Sequence, residues 1–335
     1  MELKTLCELM GASGDERDVR NAVLAEAREK CDIVTVDRAG NVICEKRGTG
    51  KGLPRVVISA HMDEVGFIIM DATEEGLLQF ANIGGIDSRV CVSKQVVIGK
   101  DRVKGIIGAL AIHLQSPEDR KRVLKTDQLY IDIGAKSKDE ALAACPRGSY
   151  AYFDTRYEEF GDGCVTAKAL DDRVGCYNML RLMEDRYPCD VTYAFVCQEE
   201  VGSRGAACAA FSVSGDVALV LEGTAAGDLG DVPEAKQVIR LGGGVGVSFM
   251  DKTSIGDRET FLRLLDLGHA FDVPCQIKRG VTGGNDAAAF QRQASGMKTC
   301  VLSVPCRYIH GPSGVAKLSD IDAQMLLVKT YLENV

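Results

Sequence analysis

The sequence predicts an α/β fold, a mixed, mostly parallel sheet with helices on both faces, interrupted by an inserted small β domain, a barrel or a sandwich. Three observations predict it. Continuous apolar runs at residues 56–58, 191–197, 217–221 and 300–304 have the composition of strands buried on both faces. Segments of helical periodicity separate these runs in the second half of the chain. From Gly76 to Asp154 the pattern changes to short β-branched segments cut by glycine, which suits a small barrel or sandwich. The main domain is therefore expected over residues 1–66 and 161–335, and the insertion over residues 67–160.

Taken in order, Leu3, Leu6, Leu9 and Met10 form one apolar helical face, broken at Gly11-Ala12-Ser13-Gly14. Val19, Val23, Leu24 and Ala27 form a second. Residues 33–36 and 41–45 are short strands joined by Asp37-Arg38-Ala39-Gly40-Asn41, a hairpin turn signal. The apolar run at residues 56–58 ends at His61, Asp63 and Glu64. Strands of the insertion are expected at residues 77–83, 90–98, 101–107, 129–133 and 150–153, with loop or short helix over residues 115–126. A helix is expected over residues 171–187, its acids suiting the N-terminus. Further helices fall at residues 202–211, 259–269 and 321–332. Gly242-Gly243-Gly244 and Gly283-Gly284 are loops where backbone can approach a ligand closely.

The totals narrow the function classes. At 335 residues, with 46% hydrophobic and 26% charged content, the chain can bury a large core. A net charge of −8 without a basic stripe argues against a nucleic-acid partner. No apolar run approaches the ~20 residues that span a bilayer. The first residues lack a signal peptide's basic start and apolar core, so a cytoplasmic protein is expected. The 13 cysteines are scattered, without a C-x-x-C pair, and are expected to be small buried hydrophobes. There is no G-x-S-x-G elbow, H-E-x-x-H helix or Walker loop. A two-carboxylate glycosidase would leave the histidines unexplained, and no Trp offers a sugar platform.

Open α/β sheets place ligands beyond the carboxyl ends of their strands. Here the four apolar runs lead to His61, to Glu199-Glu200, to Glu222 and to His310. With Asp171 at a helix start, the set suits two divalent ions sharing one carboxylate. Asp171 is the expected bridge, His61 and Glu222 the remaining ligands of one ion, and Glu200 and His310 those of the other. Glu199 is left free as general base, moving a proton from water to a leaving amine. Asp63 completes the catalytic set by holding the second imidazole nitrogen of His61. His113 and His269 are expected to be structural.

The motifs S-A-H-M-D-E-V-G-F at residues 59–67, K-A-L-D-D-R-V-G at 168–175, Q-E-E-V-G-S-R-G-A at 198–206 and the late Ile309-His310 resemble the glutamyl and tetrahedral aminopeptidases, di-metal peptidases sometimes labelled endoglucanases. The resemblance runs nearly end to end. It implies a di-zinc exopeptidase type of catalytic domain interrupted by a β-barrel, and two zinc or cobalt ions per subunit, with manganese an option. It carries the ligand role onto His61, Asp171, Glu200, Glu222 and His310, and the base role onto Glu199. It also implies short peptide substrates and a homo-oligomer, a tetrahedral dodecamer among the forms. This chain departs from the family at Glu222, where Asp is common, and at Gly283-Gly284-Asn285-Asp286, where G-G-T-D is usual. That loop is the candidate substrate contact. Lys252, Arg258 and Arg279 make an acidic substrate preference conceivable. A deacylase or amidase acting on acylated metabolites with the same metals is the rival expectation.

Overall fold

Apolar residues pack against both faces of the central strands, and the structure explains why those runs do not alternate. The computed structural model describes residues 1–335, the side chain of Asp119 excepted. The chain enters through α1 (Leu3–Glu8), α2 (Arg17–Lys30), the hairpin β1 (Ile33–Val36) and β2 (Val42–Lys46), then β3 (Val56–His61). At the hairpin, Asp37 Oδ1 accepts the N–H groups of Ala39, Gly40 and Asn41 at 2.9, 2.9 and 3.0 Å. Gly40 has φ +103°, which a side chain would resist.

The insertion follows as β4 (Gly66–Ala72), β5 (Leu78–Ile83), β6 (Gln95–Ile98), β7 (Val103–Ala109), β8 (Leu129–Asp132), α3 (Lys138–Ala144) and β9 (Tyr150–Phe153). Its strands close into an antiparallel barrel in the order β4-β5-β8-β7-β6-β9. Phe67 sits at its centre, edge-to-face with Phe80 and Phe153 at 5.0 and 5.1 Å. Closure leaves no open sheet edge, which suits segments this short.

The return segment comprises β10 (Glu158–Phe160), β11 (Cys164–Ala167), α4 (Leu170–Leu182), β12 (Val191–Val196), α5 (Arg204–Ser212) and β13 (Val217–Ala225). It continues with β14 (Val245–Ser248), α6 (Arg258–Ala270), β15 (Cys275–Lys278), α7 (Ala287–Arg292), β16 (Lys298–Cys306), β17 (Gly314–Lys317) and α8 (Leu318–Glu333). The large sheet has eight strands in the order β1-β2-β12-β3-β13-β16-β14-β15. Its centre, β12-β3-β13-β16, is parallel. Val56, Ile58 and Ala60 of β3 pack on the face that also holds Met179 of α4 and Leu327 of α8. Val57 packs on the other face, with Ala206 of α5 and Phe290 of α7. Helices thus cover both faces, as the uninterrupted apolar runs require.

Some elements depart from the sequence expectation. The acids opening α4 are not in helical conformation: Asp171 lies at φ −84°, ψ 108° and Asp172 at φ −121°, ψ 43°, joined by a cis peptide. Glu222 is not at a strand end, because β13 runs on to Ala225, paired with β16 throughout. β3 pairs with β13 only as far as Val220 opposite Ser59. Two residues further on, Glu222 stands level with His61 on a strand that overhangs its neighbour. The three-stranded sheet β10-β11-β17, helices α3 and α7, and strands β14 and β15 are too short or too polar to show a period.

Candidate metal centre and catalytic cleft

Strand register brings the predicted residues to one level. His61 ends β3 and pairs in register with Val196 of β12. The chain turns at Gln198, in left-handed conformation at φ +56°, and presents Glu199 and Glu200. His310 follows β16 and is itself left-handed at φ +56°. Ala169, Ser203 and Tyr308 share this region of φ, so the backbone around the site holds several conformations that non-glycine residues adopt at a cost.

The side chains converge. His61 is 1% exposed. Its Nε2 lies 3.4 Å from Asp171 Oδ1 and 3.7 Å from Glu222 Oε2. His310 Nε2 lies 3.5 Å from Asp171 Oδ2 and 3.3 Å from Glu200 Oε2. The two oxygens of Asp171 therefore face different imidazoles. His61 Nδ1 is 3.1 Å from the carbonyl oxygen of Asp63, a pure acceptor. Nδ1 thus carries the proton and Nε2 is left free for a cation.

Asp63 differs in detail from the expectation. Its carboxylate stands 3.5 Å from His61 Nδ1, and nearer donors claim it. Ser13 Oγ donates at 2.6 Å, and the backbone N–H groups of Glu199 and Glu200 donate at 2.9 and 3.2 Å. Asp63 orients His61 through its carbonyl and pins the Glu199-Glu200 turn through its carboxylate.

The donor chemistry fits cations. His61, Asp171 and Glu200 each offer one ligand atom within 4.8 Å of the others, and so do His61, Asp172 and Glu222. Glu222 Oε1 is buried without a hydrogen-bond partner. Five carboxyls (Asp171, Asp172, Glu199, Glu200 and Glu222) share this volume with two imidazoles. Burial pushes Glu200 up to about 8, against the opposing influence of His310. Burial likewise raises Glu222 and Asp172 well above the carboxylate range. Although burial opposes it, Asp171 and Glu200 raise His310 to about 9. Acids packed this closely cannot all ionise without added positive charge, which divalent ions would supply.

Residues outside the predicted set hold the site in place. Asp172, fully buried, accepts the N–H of His61 at 3.3 Å and of Gly175 at 3.1 Å, so its oxygens already serve the backbone. Glu64 accepts Lys168 Nζ at 2.7 and 2.9 Å, Arg173 Nη2 at 3.1 Å and the N–H of Gly11 at 3.1 Å. Arg173 also donates through Nε to the Met62 carbonyl at 3.0 Å. These contacts tie the 59–67 motif to the 168–175 motif. Acid and base in adjacent motifs were the available signal, hidden because a sequence does not show which charges are buried.

The cleft beside the acids measures about 240 Å³ and is lined by Asp171, Glu199, Glu222 and His310 together with Gly283, Gly284 and Asn285. The candidate loop is thus only partly a cleft wall. Asp286 is 0% exposed, stands at the N-terminus of α7 and does not line the cleft. Asn285 Nδ2 donates to Asp251 Oδ2 at 2.9 Å. Lys252, Arg258 and Arg279 are exposed, and none of them lines the cleft. His113 and His269 are exposed and lie outside the site.

Two imidazoles and a crowd of buried carboxyls at the carboxyl edge of a parallel sheet form a site that could hold divalent cations, the arrangement a metal-dependent hydrolase requires. The model of the M42 glutamyl aminopeptidase family matches residues 40–327, and the chain belongs to that family. Aminopeptidase APDkam598 from the archaeon Desulfurococcus kamchatkensis superposes with a TM-score of 0.94 at 32% identity, covering 99% of this chain and 94% of that one. The TET1 peptidase of Pyrococcus horikoshii, which can assemble into a tetrahedron or a large octahedral shell, gives 0.87 at 31% identity, covering 99% and 98%. A lysyl aminopeptidase of Pyrococcus furiosus is 28% identical over 344 residues, covering 99% of this chain and 96% of the relative. The chain is a peptidase of the aminopeptidase type, with the α/β fold and inserted barrel expected from its sequence.

Proposed function

We propose that the protein removes N-terminal residues from short peptides, using two divalent ions held by His61, Asp171, Glu200, Glu222 and His310. The observation that carries this reading is the paired geometry around Asp171, each of whose oxygens faces one imidazole. Asp171 would bridge the ions, with His61 and Glu222 on one side and Glu200 and His310 on the other. Mixed nitrogen and oxygen donors suit zinc or cobalt, with manganese acceptable. Such ions supply Lewis acidity toward a carbonyl and lower the pKa of water.

Glu199 is the proton carrier. Burial raises its carboxyl above the ordinary range, His61 opposes this, and Asp171 and Asp63 add to it. A base tuned upward is better matched to taking a proton from water near neutrality and delivering it to the leaving nitrogen. Ser203 Oγ, 3.4 Å from Glu199 Oε1, and the Asp63 bond to the Glu199 N–H hold it in position.

We assign the catalytic domain to residues 1–66 and 161–335 and the barrel domain to residues 67–160, and we place a homo-oligomer of this chain in the cytoplasm. All 13 cysteines are free, which fits a reducing compartment. Among the described residues no helix is long and apolar enough to cross a membrane. The assembling TET1 relative supports the oligomer, a tetrahedral dodecamer being the form to test by light scattering.

The reading is tested with protein reconstituted in zinc, cobalt or manganese and offered amino-acid anilides, tripeptides and N-acyl amino acids. Turnover of the substrates with free amines is expected. Cleavage of the acylated set alone would replace the proposal with a deacylase.

A further inference from the structure

One buried acid near the catalytic base has no duty in the fold. Asp286 is 0% exposed, and among the described residues neither of its carboxyl oxygens has a hydrogen-bond partner. A polar group buried in this way costs stability, so its presence asks for a reason. Capping is not that reason. Asp286 stands just before α7, yet its side chain takes no N–H there; Asn285 Oδ1 accepts the Ala287 N–H at 3.0 Å instead. Asn285 is itself held through Nδ2, which donates to Asp251 at 2.9 Å. Nor is Asp286 a metal ligand, since it belongs to neither group of ligand atoms close enough to share an ion.

The group that Asp286 faces is Ser203. Helices α5 and α7 share a core, in which Ala206 and Ala209 meet Ala287 and Phe290. Ser203 and Asp286 stand just before these two helices. Ser203 is in left-handed conformation at φ +51° and likewise leaves its own helix uncapped by its side chain. Its Oγ donates to Glu199 Oε1 at 3.4 Å. The same hydroxyl bears on Asp286 from just outside ordinary hydrogen-bond geometry. Both contacts are loose, as catalytic hydrogen bonds often are before substrate arrives and tightens them.

A serine hydroxyl carries a single hydrogen and can also accept. Two carboxyl groups here compete for that hydrogen, and Glu199 receives it only when Asp286 brings a hydrogen of its own. Asp286 is suited to do so. Burial pushes its carboxyl well above the carboxylate range, Glu199 adds to this, His61 opposes it, and Asp63 adds again. We infer that Asp286 is a positioning residue for the general base: its carboxyl O–H donates to Ser203 Oγ and so turns the serine hydrogen toward Glu199. The inference rests on the aminopeptidase reading and deepens it. A fixed donor on Oε1 leaves Glu199 Oε2 for the proton of water, which is where orientation counts.

The test uses the metal-reconstituted protein and the amino-acid anilide that it cleaves fastest. Asp286→Leu replaces the carboxyl with methyls of similar outline and removes its hydrogen. It should lower kcat by about threefold to tenfold, the worth of one neutral hydrogen bond, with KM and metal content unchanged. Asp286→Asn, whose amide can donate to Ser203, should recover most of that loss. Ser203→Ala should cost as much as Asp286→Leu, and the double variant no more than either alone, because both break one chain of contacts. Full kcat in Asp286→Leu would overturn the inference. So would additive losses, or a change confined to KM or metal content, which a merely structural role would give. If Asp286→Asn loses as much as Asp286→Leu, a negative charge is what acts and the O–H assignment fails. Infrared difference spectra of the metal-loaded protein against Asp286→Asn give a reading that needs neither substrate nor the Leu variant. The C=O band of a protonated carboxyl should be present and be lost in Asp286→Asn, and its absence would overturn the inference. No turnover of any anilide by the unaltered protein would instead sink the aminopeptidase reading itself.

Discussion

Glu199 and Asp63 show how little of a residue's role lies in its chemistry alone. Glu199 is one of two adjacent acids, and only position separates its task from that of Glu200. Glu200 Oε2 is directed at His310, while Glu199 leans on Ser203 inside the cleft. Replacing Glu199 by Gln should cut kcat by about 10² to 10⁴ with metal content unchanged by elemental analysis, since the amide cannot take a proton. Undiminished turnover would remove it from the mechanism. Asp63 touches no predicted metal position with its carboxylate, yet it fixes the backbone of both acids. Asp63→Ala should weaken metal binding by about 10- to 100-fold, measured by chelator competition. Affinity equal to that of the unaltered protein would show that the turn holds itself.

At the scale of elements, the site depends on segments that never reach it. The buried group formed by Glu64, Lys168 and Arg173 joins the end of β3 to the start of α4 and reaches the carbonyl of Leu9 through Lys168. Burial lowers the pKa of Lys168, and the Glu64 charge counters it. Removing the shared anion strands two cations, so Glu64→Gln should destabilise the metal-loaded protein by about 3–5 kcal/mol in denaturant unfolding. A loss under about 1 kcal/mol would mean water has replaced the carboxylate. Among helices and strands, those with a clear period, such as α2, α6 and α8, were legible beforehand. The small sheet β10-β11-β17 was not, because its strands borrow their core from α4 and β16 rather than showing one of their own.

Across the whole molecule, fold stability and metal occupancy are linked. In the metal-free protein Glu200 is raised from 4.5 to about 8, so the native state holds this proton more tightly than the unfolded chain between those values. Stability therefore falls as pH rises through that window. His310, raised from 6.5 to about 9, acts in the same direction: its contribution is complete below 6.5 and is lost as pH climbs through 9. Cations take over the neutralising role and stabilise the folded state by mass action. The gap in Tm between metal-loaded and chelator-treated protein should widen from roughly pH 6 to pH 9. A constant gap across that range would show that the acids of the site do not carry the linkage.

The sequence by itself determined the central strands, the presence of a β insertion and the identity of the residues that meet at the sheet's carboxyl edge, while closure of the insertion into a barrel was left to the structure. Apolar runs, glycine punctuation and residue type are local properties, visible without neighbours. Only the tertiary structure decided what those residues do to one another. Register set Glu222 level with His61, although it sits inside a strand. Competition among donors turned the Asp63 carboxylate from the imidazole toward the Glu199-Glu200 turn. Burial, which depends on everything packed around a position, divided Lys278 from Arg279 although the two are adjacent in the chain. Charge and hydrogen bonding act through space, and distance in space is what a linear order of residues leaves out.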